Sequence, residues 1–434
     1  MKKIINIQIA TFILAASLFT SCKKDYGDLN GPTVESYQNN ATIAELNNLV
    51  SGTESGMRNS IAFYLDDVGT IGREMYHFSN SEPRYVTDLL GAANAVLSGS
   101  NFYITAPWNA RYAVVKNCNV LIDAATKSTY ATDAQKKAYT GFAKTIKAYE
   151  LLMNLNLTDS NGIRVDVADP NNLGPVVNNV GGLADISSLL DDGQTDLTGS
   201  DVAFNLAGFG AFSDAAGLVK VNRAIAARAD IYQGKWTDAL TALDESFLDL
   251  NGNFTMGVYH VFGTGSGDQL DPAFIPQNTN GEVRVAHPSF AADILPNDDR
   301  ISKATLRNST ASIPAGLSSN RDVWVYTSST APIPIIRNEE LILIYAEANI
   351  QLGNFSNAIE ALNTIRSGHG LANYSGAQST DALIDEMLYE RRYSLYFEGH
   401  RWIDMRRYNR LSQLPLDRPD DNVWTEFPLP VTEQ

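Results

Sequence analysis

The densest run of ionisable side chains in the chain is Glu390, Arg391, Arg392, Glu398, His400, Arg401, Asp404 and Arg406, with Trp402 among them. Glu398, His400 and Asp404 are residue types that can do general acid–base chemistry. Their spacing points elsewhere. On a helix, Glu398 and Arg401 form an i,i+3 pair and His400 and Asp404 an i,i+4 pair, which predicts fixed ion pairs that dock the last helix rather than a reacting centre. The five histidines, His77, His260, His287, His369 and His400, are widely separated, and none belongs to a His-Glu-x-x-His metal motif. The sequence also lacks a Gly-x-Ser-x-Gly elbow and a Walker loop. Glycoside hydrolysis needs only two carboxylates that converge in space, so with 49 acidic residues a hydrolase stays open as an alternative. Asp166 with Asp169, and Asp293 with the run 297–300, supply oxygen ligands suited to a structural Ca²⁺. Neither follows an EF-hand spacing, and turn or helix-capping use is expected of both. No other cofactor is implied.

The N-terminus carries a different chemistry. Lys2 and Lys3 precede a mostly apolar run from Ile4 to Phe19, and Thr20 and Ser21 place small residues before Cys22. This reads as a lipoprotein signal, residues 1–21, with Cys22 the expected site of lipidation and 22–38 a flexible tether. The apolar run is about 16 residues, short of the roughly 20 needed to span a bilayer. The second cysteine, Cys118, then has no partner, and its apolar helical setting predicts a buried, inert thiol. A formal net charge of −16, more negative still once Lys2 and Lys3 leave, argues against nucleic acid and against a polybasic membrane patch.

The elements that must position these residues are mostly helical. Apolar residues recur at three- and four-residue intervals over 43–50, 108–125, 137–155, 222–250, 339–366 and 380–409. Two of these stretches match at a constant offset: Ala227, Ala229, Ile231, Gly234, Trp236, Ala239 and Leu243 correspond to Ala346, Ala348, Ile350, Gly353, Phe355, Ala358 and Leu362. Small residues allow two helices to approach closely, Gly ends the first helix, and the aromatic two residues later covers the turn. That is the tetratricopeptide pattern. It predicts a mainly α fold of about four such helix pairs, carried by a single domain over 39–434. Inserts at about 156–217 and 251–334 are rich in Gly, Asn, Asp, Ser and Pro and read as ordered loops with only short strand-like runs, such as 321–327.

Glu390-Arg391-Arg392, the core from Phe397 to Trp402, Asp404 and Arg406-Arg407, together with the stretch from Ile336 to Asn349, resemble the C-terminal signature of the SusD/RagB family. Runs 163–166 and 72–75 are similar to the family's as well. The resemblance implies a lipid-anchored protein on the outside of the outer membrane. Such a protein binds an oligosaccharide or similar nutrient at a shallow site and delivers it to a SusC-like, TonB-dependent transporter, without catalysis. A tetratricopeptide adaptor for protein partners is the further alternative. Sugar binding at a shallow surface needs exposed aromatic faces framed by polar groups. Tyr76, Arg84 and Tyr85 in the polar loop 75–85, Trp108 and Asn109 at the next helix, and Trp324 and Tyr326, two apart in an expected strand and so on one face, are the candidates.

Overall fold

The computed structural model describes Tyr37 and residues 39–433. The expected signal peptide 1–21, Cys22 and, but for Tyr37, the tether lie outside the described residues. The helices are α1 (Ile43–Gly56), α2 (Ile61–Ile71), α3 (Phe102–Lys127), α4 (Asp133–Thr158), α5 (Asn179–Leu197), α6 (Ala215–Tyr232), α7 (Trp236–Asp244), α8 (Asn338–Gln351), α9 (Phe355–Gly368), α10 (Thr380–Ser394) and α11 (Arg401–Arg407), besides short turns of helix at Arg84–Thr87 and Pro288–Asp293. None is long and apolar enough to cross a membrane. Capping boxes start α1 (Thr42 with Glu45) and α4 (Thr132 with Gln135), each pairing an otherwise unsatisfied backbone N–H with a side chain.

Helix α3 packs on α4, α4 on α5 and α5 on α6; the pairs α6/α7 and α8/α9 follow, and α10 closes over α8 and α9. The sequence match between the last two pairs holds in the backbone: Gly234 (φ +68°) and Gly353 (φ +76°) both leave their helices through the left-handed region that favours glycine. At the first turn the Trp236 ring lies 3.6 Å from where a Gly234 Cβ would stand, as expected. At the second, nothing covers Gly353, and Phe355 packs instead into the apolar cluster shared by α8, α9 and α10.

The inserts hold more regular structure than their composition suggests. Helix α5 runs for 19 residues inside the first, capped by Asn178 and buried through Leu183, Ile186, Leu190 and Leu197. Its Gly and Asp residues mask a one-sided apolar stripe. Strands β1 (Met75–Ser79), β2 (Ile163–Arg164), β3 (Val176–Val177), β4 (Gly257–His260), β5 (Glu282–Ala286), β6 (Ala304–Ile313), β7 (Leu317–Val323) and β8 (Ile333–Arg337) build a four-stranded antiparallel sheet, β1-β5-β7-β6, and two antiparallel pairs, β2-β3 and β4-β8. The β1–β5 register sets His77 opposite Arg284. Because alternate residues face opposite sides, Tyr76 and Val285 instead enter an apolar cluster with Val86, Leu90 and Ile313. Strand β7 ends at Val323, so Trp324 and Tyr326 lie beyond it and share no strand face. Cys118 is buried on α3, and burial pushes its thiol well up from its ordinary value.

Helix α8 is buried on both sides. Leu341, Ile344 and Ala348 join the main core, and Ile342, Leu343, Ala346 and Ile350 the second cluster. A helix apolar all round belongs inside a protein. Its carboxylates therefore need cations, and each has one: Arg228 grips Glu340 through two bonds of 2.6 Å, Arg337 and His369 hold Glu339, and Arg407 meets Glu347 at 2.7 Å.

Two buried carboxyls oppose each other in pH behaviour. Burial pushes Glu74 up to about 8 against the charge of Arg401, whereas Arg228 outweighs burial and holds Glu340 at about 2. Glu340 contributes stability above its ordinary value of 4.5, lost as pH falls towards 2. Glu74 contributes stability fully present below 4.5 and lost as pH rises through about 8. Glu74→Gln, which cannot ionise, should melt close to the parent at pH 5 and be more stable at pH 8.5, by on the order of 1–3 kcal/mol, the scale for an uncompensated buried polar group. Melting curves across this range check it; a variant that loses stability as steeply as the parent above pH 7 would contradict it.

Candidate functional site

The charged C-terminal run lies inside the molecule. Arg391 Nε bonds Asp404 at 2.7 Å, Arg300 meets Glu390 at 2.7 Å, and Arg407 bridges Asp404 and Glu347. Arg392 reaches the exposed Asp293 at 2.9 Å. Arg406 donates to the Asn156 and Thr425 carbonyls and covers the Trp402 ring. The two helical pairs expected from spacing do not form. The chain leaves α10 at Ser394 and re-enters helix at Arg401, with Phe397 (φ +58°) and Gly399 (φ +84°) turning between. Glu398 thus pairs with Arg337 at 2.8 Å, Arg401 donates to the Gly72 carbonyl, and only the backbone oxygen of His400 meets Asp404. Glu398 and His400 border a cavity of about 30 Å³ enclosed by α2, α4 and α6. That is room for a water, not a pyranose. Burial lowers His400 to about 4, so its ring is neutral at neutral pH.

The sequence candidates for ligand contact separate into two groups. Tyr76 is buried against His287 (ring centroids 5.2 Å), Trp108 against Tyr112 (4.9 Å), and Tyr326 donates from the core to the Phe397 carbonyl at 3.0 Å. None presents a face to solvent: Tyr76 and Trp108 lie on the inward sides of β1 and α3, and Tyr326 turns into the core from the segment after β7. Asn109 is exposed on α3, two turns beyond Phe102. Arg84, Tyr85 and Trp324 lie at or beneath the surface where half-buried rings gather.

That surface is built on the start of α3. Asn101 stands just before the helix, without a side-chain capping bond, and Phe102 opens it, leaving the Phe102 ring half-buried. The Arg84 guanidinium sits over that ring, 4.9 Å from its centroid, and is fixed by Glu82 (2.7 and 2.6 Å) and by Asn101 Oδ1 (3.0 Å). Phe63 of α2 flanks Phe102 at 5.7 Å, and buried Tyr85 supports it edge-on at 5.1 Å. A guanidinium over an aromatic face contributes roughly 0.5–1 kcal/mol where exposed and holds both groups in place.

Beneath the platform a chain of charges leads to a second pair of rings. The His77 ring stacks on Tyr85 at 3.9 Å, its Nδ1 lying 3.0 Å from Asp66 and its Nε2 3.4 Å from exposed Glu282. Arg284 binds the Asp66 carboxylate at 2.7 and 2.8 Å. Burial opposes ionisation of Asp66, yet Arg284 and His77 hold it at about 2. The same guanidinium also donates to the carbonyls of Pro272 and Ala273, and so positions half-buried Phe274, which pairs with Trp324 at 6.1 Å. Phe63, Phe102 and Phe274 were not among the sequence candidates. Phe63 stands among the core residues of α2 and Phe274 lies in a loop, and the available signal was local: Phe102 follows the Ser/Gly-rich run 98–101 directly.

Asp169 Oδ1 accepts from the Asn171 N–H, and the Asp166 carbonyl accepts from Gly174, so this segment is a turn. Among the described residues no group of three or more His, Cys, Asp or Glu is arranged to hold a metal ion.

Residues 278–426 match the family model of the SusD family. A SusD-like protein from Formosa agariphila is 36% identical over 86 residues, 18% of this chain and 17% of that protein, so the match spans under a fifth of the curated relative's length. Surface glycan-binding protein A from Bacteroides thetaiotaomicron, solved in complex with laminarihexaose, superposes with a TM-score of 0.70 at 13% identity, over 91% of this chain and 97% of that one. A SusD superfamily protein from Bacteroides vulgatus gives 0.66 at 14%, over 86% and 89%. The chain thus carries the SusD family's sequence pattern over residues 278–426 and shares over most of its length the helical fold of these solved structures.

The platform predicts a separation between two kinds of ring. Phe102→Ala should lower affinity for a bound glycan by on the order of 1–3 kcal/mol, the scale of aromatic hot spots, with a smaller loss of stability. Trp108→Ala should cost about 3–5 kcal/mol of stability through the cavity it leaves. Melting curves and titrations on both variants distinguish them. Unchanged affinity in Phe102→Ala removes the platform as the site.

Proposed function

We propose that this protein is a non-catalytic binder of glycan or a similar nutrient, anchored by lipid at Cys22 outside the outer membrane, that passes its ligand to a SusC-like, TonB-dependent transporter. The carrying observation is the Arg84–Phe102–Phe63 platform. A half-buried ring with a fixed guanidinium beside it offers an apolar face for the C–H side of a pyranose and donors for its hydroxyls. Its shallow form suits a long ligand that must later be released. Of the carboxylates near it, Glu82 and Asp66 are each bound twice by an arginine, Asp88 accepts from Asn101 and Tyr103, and Glu282 is exposed beside His77. A glycosidase needs one carboxyl free to give a proton and another to act as base or nucleophile. This favours binding over the hydrolase alternative. Glycan binding by structural neighbours and the lipoprotein-like N-terminus support the same reading.

Incubating the purified protein with a glycan panel, calorimetry beside a reducing-end assay, tests the proposal. The expected result is saturable binding of at least one oligosaccharide with no new reducing ends, little altered by salt because stacking is not screened. In cells, Cys22→Ala should leave the membrane fraction. Sustained product release, or a Cys22→Ala variant that stays membrane-bound, would overturn the respective half of the proposal.

A further inference from the structure

A notch of about 250 Å³ opens where α5, α6 and α7 meet, away from the rings. Two small residues, Ala226 of α6 and Ala242 of α7, are among those that line it. Asp230 stands on the same stripe of α6 as Arg223 and Ala226, at helical spacings of seven and four residues. It is 9% exposed, and none of the described residues gives it a hydrogen-bond donor. Burying an ionisable carboxyl without a partner is costly, so an unpaired one facing a cavity points to something that enters.

The surrounding charges say what could enter. Four acidic groups face the notch, Asp191, Asp230, Asp238 and Glu245, against two basic ones, Arg223 and Lys235. Arg223 is turned to Asp191 at 3.0 Å and to Asn222, and Glu245 accepts from Gln194 at 2.6 Å. Lys235 and Arg223 act on Asp230 only through their charge: Lys235 is exposed, Arg223 is turned away, and neither forms an ion pair with Asp230 or Asp238. The excess of negative charge disfavours an anion. A bare metal ion is disfavoured as well, since no three carboxylates or imidazoles converge. The Ser187 and Thr241 hydroxyls at the rim can accept further N–H or O–H groups.

We infer that the α5–α6–α7 notch binds a small organic ammonium compound of about monosaccharide size, with the ammonium group donating to the Asp230 carboxylate. The site is separate from the ring platform and does not depend on it. Burial, and then the charge of Asp238, pushes Asp230 up to about 7, with Lys235 and Arg223 opposing and Asp191 adding to the rise. A cation binds the ionised form, so affinity should rise by about tenfold between pH 6 and pH 8 for an amine that stays protonated throughout.

Calorimetric titration of the full chain with D-glucosamine and with D-glucose, which differ in the amine alone, tests the inference, and ethanolamine serves for the pH series. The expected result is saturable glucosamine binding at least tenfold tighter than glucose, lost in Asp230→Asn and in Ala226→Leu. The first variant removes the charge and the second fills the notch. Asp230→Asn should melt no lower than the parent, since it removes a costly buried carboxyl. Equal affinity for the two sugars, glucosamine binding that survives both variants, or no saturation by any amine would overturn the inference.

Discussion

Helix α8 has no side that faces water, yet three of its residues are carboxylates. The removal of such groups from solvent is costly, and the structure answers with one arginine apiece from three separate regions: Arg228 from α6, Arg337 from the end of β8, and Arg407 from α11. Arg337 also holds Glu398, and Arg407 also holds Asp404, which Arg391 of α10 grips from the other side. A single buried network therefore joins the tetratricopeptide-like pairs to the C-terminal segment. Such pairs add little net stability compared with apolar residues of similar volume, but breaking one partner away costs about 3–5 kcal/mol. The effect is to fix one arrangement of helices against others of similar hydrophobic content.

With the scaffold set, the ring platform follows by a short sequence of contacts. The Glu398–Gly399 turn packs on α2 through Tyr64 and Leu65. Helix α2 presents Phe63 outward and Asp66 inward, and Asp66 orients His77 of β1 and Arg284 of β5. His77 supports Tyr85, Tyr85 supports Phe102, and Arg284 positions the loop that carries Phe274. The exposed rings thus stand on buried charges. Rigid support of this kind lowers the conformational cost of binding at a shallow surface, where contact area alone is modest.

The repeat at 227–243 and 346–362 was legible because close helix packing restricts residue type at each position, and the structure reproduces both pairs and their left-handed glycines. Helix α5 was not legible: Gly, Asp and Ser dilute its apolar stripe, and its burial comes from α4 and α6, distant in sequence. The charged run was legible as ion pairs but not as these ion pairs. Helical spacing assigned Glu398 to Arg401 and His400 to Asp404, whereas the non-helical turn at Phe397 and Gly399 sends Glu398 across to Arg337, 61 residues away. The rings failed for a related reason. Tyr76, Trp108 and Tyr326 occur in polar or loop-like sequence, and only the tertiary packing decides that they point inward while Phe63 and Phe102 remain half-exposed.

The central claim is that the charged C-terminal network holds the scaffold together and takes no part in ligand chemistry. The most direct test replaces the Arg228–Glu340 pair by apolar residues of similar volume, Arg228→Met with Glu340→Leu, and measures melting and glycan affinity for the single and double variants. Each single variant should lose about 3–5 kcal/mol of stability, while the double variant recovers most of it and binds glycan as the parent does. A double variant that folds with parental stability but no longer binds glycan would contradict the account.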